Sequence, residues 1–321
     1  MAELFVRVVN MSITASIVAL LLLALRYLVQ DKLPATFCYL LWGTVFFRLL
    51  VPWSLPAALS IFNVTGGDLP QPTGGYVVTL DYVESGYVPV HAPDTRSIFL
   101  VLSAIWLTVA VLLGLYVLLV NWYVRHKART VFPLRECDEL LAYCKTLVPV
   151  RQRVRVYHSS AFPSPVVLGS LHPRIILPSS MDFSNRRMMI HIFTHELTHI
   201  RRMDFLTKKL ALLSVVVHWF NPLVLLCYHL FSRDIEASCD ERVLSVLGEE
   251  EKVGYADSLL SLFSHMRTSW GISTLAFGET AIQQRVKGAI GYTRLSQWRL
   301  VLLSALVLVI GAVTTTNPLP V

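Results

Sequence analysis

His195-Glu196-Leu197-Thr198-His199 sets two imidazoles four residues apart, with a carboxylate beside the first. On a helix, residues four apart lie one above the other, so two neutral ring nitrogens can converge on one divalent ion. Glu196 does not compete for that ion and stands where it can take a proton from a water the metal activates. This is the minimum equipment of a zinc hydrolase, with His195 and His199 as metal ligands and Glu196 as catalytic base. A bare pentapeptide of this form arises by accident in roughly one chain in a hundred, so further donors must be found.

A catalytic zinc takes three protein ligands and keeps one position open, whereas a structural zinc takes four. Downstream, the run from Arg233 to Glu241 places Glu236 and Asp240 four apart, again on one helical face. Glu236 is assigned as the third ligand and Asp240 as the carboxylate that orients a ligating histidine. An acidic surface helix would show the same spacing, and the upstream motif is what decides against it. His191, one turn before His195, is a rival ligand that reads better as a packing or orienting residue. Cys239, at i+3 from Glu236, is set off the shared face and reads as a small buried side chain.

These residues need elements to hold them. Ser184–Met203 contains no Gly or Pro and reads as the motif helix, with Ser184 or Asn185 as its cap. Asp138–Leu147 is a short helix, Arg151–Tyr157 alternates with period two as a half-exposed strand, and Val166–Leu168 with Arg174–Leu177 forms a hairpin through Gly169–Pro173. Such a small sheet either takes an extended peptide as an added strand or is purely structural.

The chain is 321 residues long, 54% hydrophobic and only 15% charged, with a mean hydropathy of +0.57. That composition belongs in a bilayer. Val8–Leu25 and Ile98–Val120 are uncharged runs of spanning length, the first too long for a cleaved leader and without a clear cleavage site. Leu33–Trp53 is a third span and Leu300–Val313, extended by Gln297–Arg299, a shorter fourth. Arg48 marks a buried polar site or snorkels to the headgroups, and its place near a helix end favours the second. Asn63–Thr95 has no Lys or Arg, while Arg125, Lys127 and Arg129 follow the third span and Arg26 and Lys32 separate the first two. Positive residues stay inside, which puts both chain ends outside and Arg125–Gln297 in the cytosol. Net charge +7 is explained by anionic lipid beside the spans, with no direct contact to nucleic acid. Five cysteines, an odd number mostly in spans or cytosolic segments, imply no disulfide framework.

Leu210–Phe231 is also apolar and long enough to span. If it crossed, Glu236 and His199 would lie on opposite sides and share no metal. Asn221-Pro222 interrupts the run, because Pro lacks the backbone donor a continuous helix needs. The expectation is therefore two half-length helices forming a re-entrant or interfacial hairpin over about residues 210–231, with His218 and His229 lined by protein or at headgroup level.

With these residues in view the chain resembles the BlaR/MecR-type antirepressor zinc metallopeptidases, the membrane half of beta-lactam sensor-transducers. The likeness is carried by His195–Arg202, by His218-Trp219-Phe220-Asn221-Pro222-Leu223, by Glu236–Glu241, and by Ser164–Gly169 with Pro173–Pro178. The resemblance implies His195, His199 and Glu236 as zinc ligands and Glu196 as base. It further implies self-cleavage in the cytosolic linker before the last span, and a cytosolic transcriptional repressor as eventual target. In that family an extracellular penicillin-binding domain follows the fourth span. Here about eight residues follow Val313, with no Ser-x-x-Lys or Lys-Thr-Gly pair. Either the chain is a piece of a longer protein, or it is a sensorless relative signalled through Asn63–Thr95 or a partner.

The expected fold is a mainly α membrane protein: four transmembrane helices plus a cytosolic, gluzincin-like HExxH zinc protease domain with a small β-sheet. The expected division is spans one to three over 1–124 with an outer loop at about 63–96, the protease domain over 125–297, the fourth span over 298–315 and a tail over 316–321. The expected function is an integral-membrane zinc endopeptidase of a signal-transduction system in the bacterial cytoplasmic membrane, multi-pass, its site facing the cytosol. Zn2+ is its cofactor, a cytosolic transcriptional repressor and, by autocleavage, the chain itself are its substrates, the bilayer is its surroundings, and a homodimer is compatible with the sequence. The expected cut falls within Thr268–Gly291, a weakly patterned stretch containing Gln284-Arg285-Val286. Two alternatives are a housekeeping membrane metalloprotease of the HtpX or CAAX-processing kind, and a non-catalytic signalling scaffold in which zinc is structural.

Overall fold

A computed structural model describes residues 1–29, 33–51, 55–56, 95–169, 171–270 and 275–293, with scattered positions between 298 and 317. The chain is mainly helical, with one small mixed sheet. Helix α1 is Ala2–Val29, α2 is Ala35–Leu50 and α3 is Thr95–Lys127. Within α1 and α3, Ala2–Tyr27 and Ser97–Lys127 are long and apolar enough to cross a membrane, and α2 is a shorter apolar helix. The expected span Leu33–Trp53 is thus reduced to sixteen residues, about 24 Å of helix. Prolines set those limits: Pro34 is the N-cap, and Val51, which precedes Pro52, is driven to extended backbone with φ −106° and ψ 110°. Arg48 also departs from expectation. It is buried, because α2 is enclosed by α1, α6 and α7 and its last turn packs inward. The outer loop and most of the fourth expected span lie outside the described residues.

A two-residue parallel pairing joins β1, Leu55–Pro56, to β6, Thr316–Asn317. It brings the chain just past α2 beside the chain just past 298–315.

The sheet runs in the order β2 (Phe132–Pro133), β3 (Arg155–Ser159), β5 (Arg174–Pro178), β4 (Val166–Leu168). The β4–β5 pair is the expected antiparallel hairpin, with Val167 opposite Ile175. Gly169 turns the chain at φ +93°, where a Cβ would meet the His172 carbonyl oxygen at 2.8 Å. Strand β3 starts four residues later than the charge alternation suggests, and it pairs in parallel with β5, Tyr157 opposite Ile176. Helix α4, Asp138–Leu147, matches its expected bounds. Leu141, Cys144, Val156, Ile175 and Leu177 pack against Met189, Ile192, Phe193 and Leu197 of α5, Arg186–Arg202. This core fixes the motif helix to the sheet.

The remaining helices are α6 (Asp204–Val217), α7 (Pro222–Leu247), α8 (Lys252–Trp270) and α9 (Leu275–Ile290). The apolar run 210–231 is broken as the Asn-Pro pair requires: Asn221 Oδ1 accepts from Leu223 N at 2.9 Å, and Pro222 opens α7. The tip between α6 and α7 is held by protein. His218 Nε2 donates to the Leu49 carbonyl at 2.9 Å, Trp106 Nε1 to the Val217 carbonyl at 2.8 Å, and Asn221 Nδ2 to Ser12 and Ser16 Oγ, each at 2.8 Å. His218 is fully buried and His229 exposed. Ser16 and Ser12 precede Arg26 by ten and fourteen residues, so the tip stands about 15–20 Å along α1 from that arginine.

The base of the hairpin is tied to the connection between α1 and α2. Asp234 on α7 is buried and ion-paired to Arg26, with Arg26 Nη2 to Oδ1 at 3.0 Å, and it accepts from Trp42 Nε1 at 2.7 Å. Glu241 caps α2, accepting from Ala35 N at 2.6 Å and from Thr36 N at 2.9 Å. The two anchors bracket Glu236 and Asp240.

Candidate metal centre

Helix α5 presents the two motif imidazoles. Asn185 Oδ1 caps its start by accepting from Met188 N at 3.1 Å, and Met203 ends it in the left-handed conformation, φ 55°. Among its buried residues are Met189, Phe193, Leu197 and Ile200, so His195 and His199 project from a helix that cannot rotate.

His195 Nε2 and His199 Nε2 face each other at 3.0 Å. Glu236 Oε2, from α7, lies 3.5 Å from the first and 3.7 Å from the second. Three ligands bonded to one tetrahedral zinc at about 2.0–2.1 Å would sit about 3.3 Å apart. The donor set therefore fits a zinc ion without rearrangement. Each ring also has a partner for Nδ1 that suits this role. His199 Nδ1 donates to Asp204 Oδ2 at 2.7 Å, and His195 Nδ1 lies 3.0 Å from Tyr255 Oη and 3.3 Å from Asp240 Oδ1. With their protons on Nδ1, both rings would offer an Nε2 lone pair to the space they share with Glu236, as two ligands of one cation do.

The acidic pair on α7 divides its work between the two histidines and two cations. Lys208 Nζ, on α6, holds Glu236 Oε1 at 2.9 Å and leaves Oε2 facing the imidazoles. Asp240 accepts from Tyr255 Oη at 2.6 Å and from Arg285 of α9 side-on, Nε to Oδ2 at 2.8 Å and Nη2 to Oδ1 at 2.7 Å. Burial alone would raise the Asp240 pKa, but Arg285 and His195 bring it down to about 2. Burial opposes charge on both imidazoles too, and is outweighed by Cys239, Asp240 and Glu236 around His195 and by Cys239, Glu236 and Asp204 around His199. The pocket has a raised affinity for positive charge. Glu196 is half-buried and, among the described residues, makes no hydrogen bond. Its charge is felt by Lys208.

The structure thus gathers His195, His199, Glu236 and Asp240, with Glu196 next in the chain to the first. His191 is not in the cluster: its Nδ1 meets Ser258 Oγ at 2.7 Å and its Nε2 meets Glu251 Oε2 at 3.1 Å, which ties α5 to α8 and the turn before it. Cys239 is where expectation needs correcting. It is fully buried as expected, but its Sγ belongs to a group with His195 and His199 whose ligand atoms all lie within 4.8 Å. At about 100° per residue, i+3 falls only about 60° from the direction of Glu236, so it cannot leave that face. The thiol donates to the His195 carbonyl at 3.5 Å, pinning α7 to α5.

Four participants escaped the sequence reading: Asp204, Lys208, Tyr255 and Arg285. Asp204 carried a signal, a carboxylate five residues after His199 at the start of the next helix. Tyr255 and Arg285 carried none, since only the packing of α8 and α9 on α7 brings them in.

A family description, "BlaR1 peptidase M56", matches residues 6–288. Among curated proteins, the chain is 31% identical over 189 residues to "Regulatory protein BlaR1" of Bacillus licheniformis, covering 57% of this chain and 31% of that protein. It is 27% identical over 125 residues to "Methicillin resistance mecR1 protein" of Staphylococcus aureus strain Mu50, covering 38% and 21%. It is 22% identical over 259 residues to "Regulatory protein BlaR1" of Staphylococcus aureus, covering 75% and 43%. In each case the chain spans less than half of the relative's length.

Proposed function

Because the chain belongs to the BlaR1 peptidase M56 family, we propose that it is a membrane-embedded zinc endopeptidase that hydrolyses peptide bonds at the cytosolic face of a bacterial cytoplasmic membrane. One observation carries the reading: two imidazole nitrogens and one carboxylate oxygen stand 3.0, 3.5 and 3.7 Å apart, the spacing of three ligands around one tetrahedral zinc. His195, His199 and Glu236 would hold the zinc, which would supply Lewis acidity for the scissile carbonyl and for the attacking water.

The chain's own groups do the rest. Glu196, half-buried and without a hydrogen bond among the described residues, accepts a proton from that water at its carboxylate and later delivers it to the leaving amine. Asp204 and the Asp240–Tyr255 pair hold the imidazole protons on Nδ1 and the lone pairs on Nε2. Strand β4 packs beside α5 and is an edge strand. An extended substrate adding to that edge would run its backbone past the motif helix.

The hairpin supports a re-entrant course rather than an interfacial one. With Arg26 at the cytosolic headgroups, its tip, about 15–20 Å along α1, would reach the middle of a hydrocarbon core about 30 Å thick. It returns α7 to the side of α5, so that Glu236 and His199 share one compartment.

The relatives' names, a regulatory protein and a methicillin resistance protein, support a signalling role. In it the peptidase cleaves itself before the last span and then a cytosolic transcriptional repressor. The stretch expected to be cut is helical from Leu275 to Ile290, and Arg285 there is ion-paired to Asp240. A protease takes an extended chain and α9 holds Arg285 on Asp240, so the cut within Thr268–Gly291 falls outside α9.

The test is zinc analysis and casein and repressor cleavage by the full chain in lipid nanodiscs, wild type against Glu196→Gln. The expected result is about one zinc in both and cleavage only in the wild type. Proteolysis retained by Glu196→Gln would overturn the mechanism, and broad casein degradation without repressor selectivity would favour the housekeeping alternative.

A further inference from the structure

Resting on the zinc-peptidase reading above, we infer that Arg285 is a further catalytic residue. Its Nη1 donates to the oxygen that gains negative charge as the peptide carbonyl is attacked.

The guanidinium has three nitrogens, and Asp240 takes two of them. Nε and Nη2 form a side-on, bidentate pair with the two carboxylate oxygens at 2.8 and 2.7 Å, which fixes the plane of the fork. Asp240 is itself immobilised by Tyr255 Oη at 2.6 Å. The third nitrogen, Nη1, makes no hydrogen bond among the described residues; it is ion-paired with Glu236 Oε2 at 3.5 Å, through one of its two N–H groups at most. Nη2 is also 3.5 Å from His195 Nε2. Nη1 thus stands beside Glu236 Oε2 and Nη2 beside His195 Nε2, so the fork borders the space the three ligand atoms enclose, where the proposal sets the attacked carbonyl.

Positive charge beside a divalent cation site is unfavourable unless it serves something negative. Asp240 balances one charge, but that balance needs only an ammonium, and a lysine would supply it. A planar fork with two donors spent on positioning and one left over the site provides something more: a preorganised donor for charge that exists only in the transition state. The Arg285 side chain is 21% exposed, so the donor reaches the cleft without being drowned in solvent.

The experiment uses the full chain in nanodiscs as wild type, Arg285→Lys and Arg285→Ala, with thermal melting to show that each is folded. Two probes are titrated: N-phosphoryl-Leu-Trp, whose tetrahedral anion mimics the attacked carbonyl, and a mercaptoacetyl-Leu-Trp, which binds zinc through sulfur and lacks that anion. The expected result is about 100-fold weaker binding of the phosphoryl probe to both variants. The thiol probe should change less than threefold and zinc should remain near one per chain. Casein turnover should fall in kcat with KM little changed, and added guanidinium should restore part of it in Arg285→Ala. Equal weakening of both probes, or loss of zinc, would make Arg285 only a positioning residue for Asp240 and overturn the proposal. Failure of the zinc-loaded wild type to bind either probe would instead refute the peptidase reading, and this proposal with it.

Discussion

Replacing Asp204 tests whether the imidazole orientation matters to the metal. Its carboxylate is buried, the side chain 2% exposed, and Oδ2 accepts from His199 Nδ1 at 2.7 Å. A bond that short between an imidazole N–H and a carboxylate is charge-assisted. It holds the proton on Nδ1, the lone pair on Nε2 and the ring in the plane that faces Glu236. Loss of such a partner lowers zinc affinity by about 10–100-fold, or about 1.4–2.7 kcal/mol. Asp204→Ala should fall at the upper end. Asp204→Asn keeps an acceptor oxygen and should fall at the lower end. Asp204 Oδ1 also accepts from Arg202 Nε at 3.2 Å, and Arg202 retains Ser238 Oγ at 3.0 Å and the face of Tyr39 at 4.6 Å. The fold should therefore survive either change. Competition for zinc against a fluorescent chelator, on protein in nanodiscs with its melting curve recorded, measures the effect. A zinc affinity within twofold of wild type in a folded Asp204→Ala variant would refute the reasoning.

Two further outcomes follow from the contacts around the site. Asp234→Ala strips a buried acceptor from Arg26 and from Trp42. Arg26 is 34% exposed, so the loss should lie near the low end for a broken buried pair, about 2–3 kcal/mol. For a chain of 321 residues that predicts a melting point lower by about 3–4 °C, and an unchanged one would show that α7 is not anchored through this residue. His191 gives a pH dependence. Burial lowers its pKa below the usual 6.5, against the opposing pull of Glu251. The unfolded chain then binds the proton more readily, so His191 contributes stability that is present above about pH 6.5 and lost as pH falls toward its lowered value. His191→Asn should show a shallower loss of melting temperature between pH 7 and pH 5 than wild type, and parallel curves would contradict the assignment.

Local chemistry explains what the sequence made legible. Helix α4, the β4–β5 hairpin, the cap at Asn185 and the break at Asn221-Pro222 depend on residues within a few positions of one another, and all were readable. So was the grouping of His195, His199, Glu236 and Asp240, because i,i+4 spacing on two helices is a local property. The packing of α8 and α9 on α7 is not local, and with it Tyr255 and Arg285 stayed hidden. The setting of Cys239 failed for a different reason: i+3 and i+4 both lie near Glu236 on a helix, and an alternation argument resolves them too sharply. Arg48 was misjudged because nearness to a helix end says nothing about which neighbour encloses that end. Residues 130–160 carried mixed signals, where charge alternation over Arg151–Arg155 mimicked a strand that the sheet begins only at Arg155.

The central claim is that His195, His199 and Glu236 grip one zinc ion while Cys239 stays on the His195 carbonyl. X-ray absorption at the zinc edge of the full chain in nanodiscs tests it most directly. The account predicts only nitrogen and oxygen neighbours at about 2.0–2.1 Å, with two imidazoles in the outer scattering. A sulfur neighbour at about 2.3 Å that disappears in Cys239→Ser would contradict it, as would zinc bound unchanged by Glu236→Ala.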